Sequence, residues 1–276
     1  MTVLTKKSRL RAKLFNMKPV VGIFCAGLIS SIVAVQAAEM TTREVISAIF
    51  KSNATAPVDF SDLDLSFLDL SNVDFKKAQF TGADLYGSDL SEADLSGTDL
   101  TETRLDRTTI VRSNFSGADL SGATMRRPSG FTSLAYDRRD APNFEGAKLV
   151  GTRVHGRLDG ANFRNADLSK SMFAPEQVRG ETLSTLLMSH LTGADFRGAK
   201  LHDADFSRTV LKFANFTGAD LKGANFSKSN LARADFTNAN IAGVDFTDAD
   251  LEGVIFEGVK GLSHARGIKS AAANAP

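Results

Sequence analysis

The sequence has no tryptophan, two tyrosines, one cysteine, six prolines and four histidines among its 276 residues. Each scarcity closes an option. A lone cysteine, Cys25, leaves nothing to pair with, so no internal disulfide stabilises the chain. His155, His190, His202 and His264 share no common spacing, so neither a metal-ligand motif nor a Ser, His and Asp constellation is visible. Glycine is plentiful, yet it forms no phosphate-cradling loop pattern. Nothing therefore speaks for an enzyme, a cofactor or a metal site. Proline is almost missing from the long middle of the chain although turn formers abound there, so the corners are made by other residues.

What is abundant is phenylalanine, with twenty copies, together with Ala, Leu, Asp and Gly. In "ANFTGADLKGANFSKSNLARADF", residues 214–236, the large apolar residues Phe216, Leu221, Phe226, Leu231 and Phe236 stand five apart, each with a small residue two places earlier. A five-residue step advances about 140° on a helix and would scatter these residues around every side. In a flat strand an odd step sends them alternately to opposite faces. Both conflicts vanish if the chain turns a corner once per repeat and winds into a stacked coil with every central residue pointing inward. The small residue then shares the interior, and the other three positions face water and make the turns.

Such centres run at every fifth position from Phe60 to Met125, resume at Phe144, Leu149 and Val154, slip by one to Leu158, Phe163, Leu168 and Phe173, and run again from Leu191 to Phe256. In the last block Leu or Ile alternates strictly with Phe. That period of ten requires an even number of sides per coil, and two sides enclose no core, so four is the smallest workable number. "ADLSG", "ADFTN", "ANFSK" and "ADLKG" resemble the pentapeptide-repeat family, whose pattern is A-(D/N)-(L/F)-x-x. The resemblance covers residues 58 to about 260 and implies an all-β fold, a right-handed quadrilateral β-helix with four repeats per coil. It implies no single activity, since the family includes topoisomerase-binding DNA mimics. About nine coils at the ~4.8 Å spacing of neighbouring strands give a rod on the order of 40 Å long. Each end needs a cover. At the N-terminal end, "TTREVISAIFKSN" predicts a helix over 41–53, with Thr41 and Glu44 as a capping box and Val45, Ile46, Ile49 and Phe50 as its apolar face. At the other end Leu262 and Ile268, in the tail 261–276, or a second copy in a homodimer, would cover the last coil.

Residues 1–37 are of different character. Lys6, Lys7, Arg9, Arg11, Lys13 and Lys18 precede the uncharged "VVGIFCAGLISSIVAV", and Val35 and Ala37 stand where a Sec-type signal peptide is cleaved. Read so, the protein is periplasmic or secreted and keeps no membrane segment; read as uncleaved, the same run is a membrane anchor. Cys25 follows the bulky Phe24, which does not suit a lipoprotein cysteine. Removing the segment takes six of the 33 basic residues and none of the 32 acidic ones, leaving a net charge of about −5. The charge is uneven: 11 acidic and 3 basic residues from Asp59 to Leu105, but 9 acidic and 12 basic from Asp106 to His190.

The acidic stretch places Asp59, Asp64, Asp69, Asp74, Asp84, Asp89, Asp94 and Asp99 just before successive centres. These are the carboxylates a cytoplasmic mimic would show to a type II topoisomerase, and equally the turn-forming residues of the repeat itself. More informative are the two breaks, because a regular solenoid gains nothing by interrupting its ladder. Residues 126–143, "RRPSGFTSLAYDRRDAPN", bring Arg126, Arg127, Arg138 and Arg139 together with Phe131 and Tyr136, the residue types favoured at binding hot spots. Residues 174–190 read as a helical turn after Pro175 and Glu176, then the apolar Leu183, Leu186, Leu187 and Met188, which pack back on the prism. The sequence therefore reads as a non-catalytic exported scaffold or protein-binding module. The 126–143 loop is its candidate contact for a protein partner, and no nucleic acid is expected.

Overall fold

The structure, a computed structural model, describes residues 38–53, 55–75, 77–130, 137–175 and 188–268. The candidate signal segment, Phe131, Tyr136, Leu183, Leu186 and Leu187 lie outside the described residues.

Each repeat solves its own backbone problem. In most repeats the residue before the centre is Asp or Asn, and its Oδ1 accepts the N–H two places on, as in Ser61 to Asp59 at 2.9 Å and Thr217 to Asn215 at 2.9 Å. The centre's carbonyl then accepts the N–H three residues on, as in Leu63 to Phe60 at 3.2 Å, closing a β-turn. The third residue of that turn is left-handed: Asp62, Asn72 and Lys228 have φ near +60° and Gly82 has +67°. A sharp corner thus recurs every five residues without proline. The remaining amides pair with the neighbouring coil, for example Phe60 N–H to Gln79 C=O at 2.8 Å and Gln79 N–H to Val58 C=O at 3.0 Å.

Parallel bridges join residues 20 apart, as in Asp59 to Gln79, Gln79 to Asp99 and Asp99 to Asp119, so four repeats complete one coil. The result is a β-solenoid with four short walls. Each wall is too short for an extended strand, and most pairings are single bridges. Longer pairing occurs only once among the described residues, between β1 (Thr124–Arg126) and β2 (Arg153–His155), which run parallel with Arg126 opposite His155.

The centres are fully buried from Phe60 to Phe246 along the solenoid, with Ala, Ser or Thr beside them. Phe115, Phe144, Phe163, Phe196, Phe216, Phe236 and Phe256 form one stack with ring centroids 4.7 to 5.4 Å apart. Phe173, Phe206, Phe226 and Phe246 form a second, and the two meet edge-to-face, as in Phe216 against Phe226 at 5.5 Å and 82°. Buried hydroxyls donate to main-chain carbonyls: Ser88 Oγ to Leu65 C=O at 2.8 Å, Thr103 Oγ1 to Phe80 C=O at 2.8 Å and Ser113 Oγ to Leu90 C=O at 2.7 Å.

Helix α1 (Thr42–Lys51) opens with the Thr41 and Glu44 capping box. Val45 and Ile49 enter the hydrophobic cluster of the solenoid, but Ile46 and Phe50 are 47% and 83% exposed. The packed stripe is therefore narrower than the four-residue face expected from the sequence. At the other end Gly261 starts a 3-10 turn at Leu262–His264, and Leu262 and Ile268 pack half-buried against the last coil.

Candidate functional site

Pairing distance along the chain locates the breaks. Thr109 bridges Ser129 at the regular interval of 20, whereas Asn114 bridges Asn143 at 29, so nine extra residues leave the first break between them. The ladder thus runs beyond Met125, and Arg126 and Arg127 belong to the wall rather than to a loop as their place in 126–143 implied. Gly130 occupies the next centre, buried and without a side chain, which is why a search for large apolar centres stops short of it. Asn143 to Asn162 is 19 apart, the one-residue slip. Arg157 to His190 is 33, so thirteen extra residues make up the second insertion. The stack itself continues across the first: Asn143 Nδ2 donates to Asn114 Oδ1 at 3.1 Å, and Asn162 Nδ2 to Asn143 Oδ1 at 2.8 Å.

The arginines expected to gather divide between two places. Arg138–Asp140 form a 3-10 turn in which Arg139 grips Asp137, with Nη2 to Oδ2 at 2.6 Å and Nε to Oδ1 at 3.1 Å. Those side-chain bonds, with the Arg139 amide, hold the Asp137 carboxyl down to about 2. Buried Asp140 ties this turn to Arg112, accepting from Nη1 at 3.1 Å. Arg126 and Arg127 lie instead on the wall built by β1 and β2. The Arg126 amide donates to Asp106 Oδ1 at 2.8 Å, and buried Asp106 also takes the guanidinia of Arg104 and Arg126, each at 3.4 Å. Arg104 in turn lies 4.2 Å over the ring of Tyr86, which meets exposed Phe67 edge-on at 5.3 Å.

The next coil adds cations that sequence reasoning missed. Arg153 and His155 stand on β2, stacked on Thr124 and Arg126. Arg157 reaches buried Asp159 at 3.1 Å, and the same carboxylate accepts the Thr192 amide at 2.7 Å. His190 pairs with Arg157 one coil on. Two open clefts result. One, of about 370 Å³, is lined by Arg126, Arg153, His155, Met172, Pro175 and Asp205 among others. The second, of about 360 Å³, is lined by Arg127, Pro128, His155, Arg157, Met188 and His190 among others. His155 and His190, unrelated by spacing, both line this cleft because the second insertion lengthens the coil between them; only knowledge of the 33-residue interval would have aligned them. Gly156 makes the close approach: at φ +154°, a Cβ there would lie 2.8 Å from Pro128 Cδ.

The acidic coils use carboxylates in their own turns. Asp59, Asp64, Asp69, Asp84, Asp89, Asp94 and Asp99 each accept at Oδ1 from the amide two residues on, so one oxygen of each of these seven is committed to a turn. Among the described residues no group of His, Cys, Asp and Glu could hold a metal ion, and no helix is long and apolar enough to cross a membrane.

The family model for pentapeptide repeats matches residues 59–97, 88–127, 189–227 and 219–258, in eight copies. Among solved structures the chain is similar to HetL, a pentapeptide repeat protein involved in heterocyst differentiation regulation from the cyanobacterium Nostoc sp. Identity is 25% over 82% of this chain and 97% of that one, with a TM-score of 0.36. It is also similar to trypsin-treated QnrB1, a plasmid-mediated fluoroquinolone resistance protein, at 21% identity over 74% of this chain and 89% of that one, with a TM-score of 0.41. A search of curated proteins gives no match.

Proposed function

The chain belongs to the pentapeptide-repeat family, and from that premise we propose that it is a non-catalytic, exported protein-binding module. A right-handed quadrilateral β-helix with α1 as the lid of its first coil presents a partner surface where its ladder is broken. One observation carries this reading. The chain departs from its five-residue rule three times between Ser129 and His190, and the last two departures shape the two adjoining walls that concentrate Arg126, Arg127, Arg153 and Arg157. Elsewhere among the described residues the surface is made mostly of short polar turns, with Phe67 and Phe213 as exposed exceptions. Absence of catalysis is supported by the use made of buried hydroxyls such as those of Ser88, Thr103 and Ser113, which are spent on main-chain carbonyls and hold walls together. Export is supported by the basic and then uncharged composition of residues 1–37.

The test replaces residues 131–139 by a short Gly-containing link, leaving Arg126 and Arg127 in place, and in a second protein reverses the charge of the wall. Each coil depends on its neighbours alone, so both proteins keep the far-UV spectrum of the parent. In crosslinking from intact cells, partners captured by the parent are lost from at least one of the two. Retention of every partner by both would move the contact to the regular faces. Export is tested separately by fractionation and N-terminal sequencing: a mature protein beginning near Ala38 outside the cytoplasm supports it, and an intact cytoplasmic chain would favour instead a topoisomerase-binding mimic acting through the acidic coils.

A further inference from the structure

We infer that the two clefts, one on the β1/β2 wall and the other around the corner on the wall of Ser129, Arg157 and His190, form one trough that receives an extended, acidic segment of a partner protein, its carboxylates held by Arg127, Arg153 and Arg157. This rests on the protein-binding reading and adds the chemistry of the partner.

The clefts share His155 and so adjoin, one on each side of it. Among the described residues their lining counts four arginines and two histidines against a single carboxylate, Asp205. Arg127 and Arg153 are exposed and form no side-chain ion pair among the described residues. Arg157 is braced from behind by buried Asp159, which orients its guanidinium while leaving the side chain 55% exposed. Exposed positive charge in a break on an otherwise neutral to acidic rod calls for a negative ligand.

The kind of anion follows from what the wall does not offer. Compact oxyanions such as phosphate are held by convergent main-chain amides. Here those amides are spent: Arg127 N–H donates to His155 C=O, Ser129 to Thr108 at 2.8 Å, His190 to Gly156 at 2.9 Å and Leu158 to His190 at 2.7 Å. The charged side chains are spread over successive coils, which suits several carboxylates along a chain better than one dense anion. Nucleic acid would bring bases, and among the described residues no Phe or Tyr lines either cleft to stack on them. Met172, Met188, Pro128 and Pro175 supply apolar surface between the charges, as a peptide with intervening aliphatic side chains requires.

The probe is a fluorescent oligoglutamate peptide with interspersed leucines, titrated by anisotropy against the full mature chain at low and at physiological salt. Binding that weakens with salt is expected. The double variant Arg127→Glu/Arg153→Glu should bind about tenfold or more weakly, because reversal places like charges against the peptide. The control Lys222→Glu/Lys228→Glu, on the regular walls, should match the parent. Both variants touch exposed side chains, and unchanged circular dichroism and melting confirm folding. The inference is overturned if the parent ignores the peptide at low salt, if both double variants bind alike, or if oligouridylate binds more tightly than the peptide and displaces it. Crosslinking separates this from the wider reading: cell partners retained by Arg127→Glu/Arg153→Glu sink the trough but leave a protein-binding module standing, whereas a parent that captures no partner sinks the module.

Discussion

Phe226 shows what one central residue contributes. Its ring stacks between Phe206 and Phe246 at 5.3 and 5.7 Å and meets Phe216 and Phe236 edge-on, without exposure to solvent. Phe226→Ala removes four aromatic contacts and leaves a cavity that stacked coils cannot close, so it should cost about 3 to 5 kcal/mol in chemical unfolding. Lys228→Ala, two residues on and exposed, should change stability by less than about 0.5 kcal/mol. Similar small effects for both would mean that the interior is misassigned. The aspartates carry a second prediction. Asp69 is held below the usual carboxylate range by the Ser71 hydroxyl and amide. For Asp99 and Asp119 burial is the largest influence and pushes upward, but hydrogen bonds from Thr101 and Thr81, and from Ser121 and Lys148, outweigh it. A depressed carboxylate stabilises the fold above its unfolded pKa, and that stability is lost as pH falls through the folded value. Stability should be flat near neutrality and decline from about pH 4 downward. An increase on acidification would contradict the role of these residues in the turns. At this scale the sequence was nearly transparent, because every repeat restates the same interior and turn positions.

The coil and its insertions were legible only in part. Five-residue spacing makes the regular coils countable, but Gly130 hid one repeat because the criterion was a large centre. The register across the breaks depends on which residues leave the wall, and Gly156 shows how narrow that margin is. It sits in a conformation that favours glycine, with Pro128 and the Arg127 backbone against it, where the coil is one residue short. Gly156→Ala should destabilise by about 1 to 3 kcal/mol and weaken binding at the trough through displacement of Arg127. Gly130→Ala, with nearest atoms at 3.6 and 3.7 Å, should be close to neutral. Melting of the two proteins decides; equal stability would mean that the one-residue slip places no strain on Gly156. The arginine wall escaped sequence reasoning for the same reason. Arg153 is brought beside Thr124 by an interval of 29 residues and His190 beside Arg157 by one of 33, which no fixed period contains.

For the whole molecule, a stacked rod is only as secure as its ends. Val45 and Ile49 of α1 join the interior cluster beside the first coil, while at the far end Leu251, Phe256, Val259 and Leu262 remain half-buried. Deleting residues 41–53 should therefore expose apolar surface and unpaired amides and promote association, seen by light scattering, with a lowered melting temperature. A truncated protein that stays monomeric and equally stable would show that the helix covers nothing essential. The account's central claim is that binding is concentrated at the broken wall and not spread over the regular faces. Its most direct test places a photo-crosslinking residue at position 127 in one protein and at position 222 in another, with both illuminated in intact cells. The account predicts a discrete crosslinked partner from position 127 and only background from position 222. Equal crosslinking at both sites, or crosslinking from position 222 alone, would contradict it.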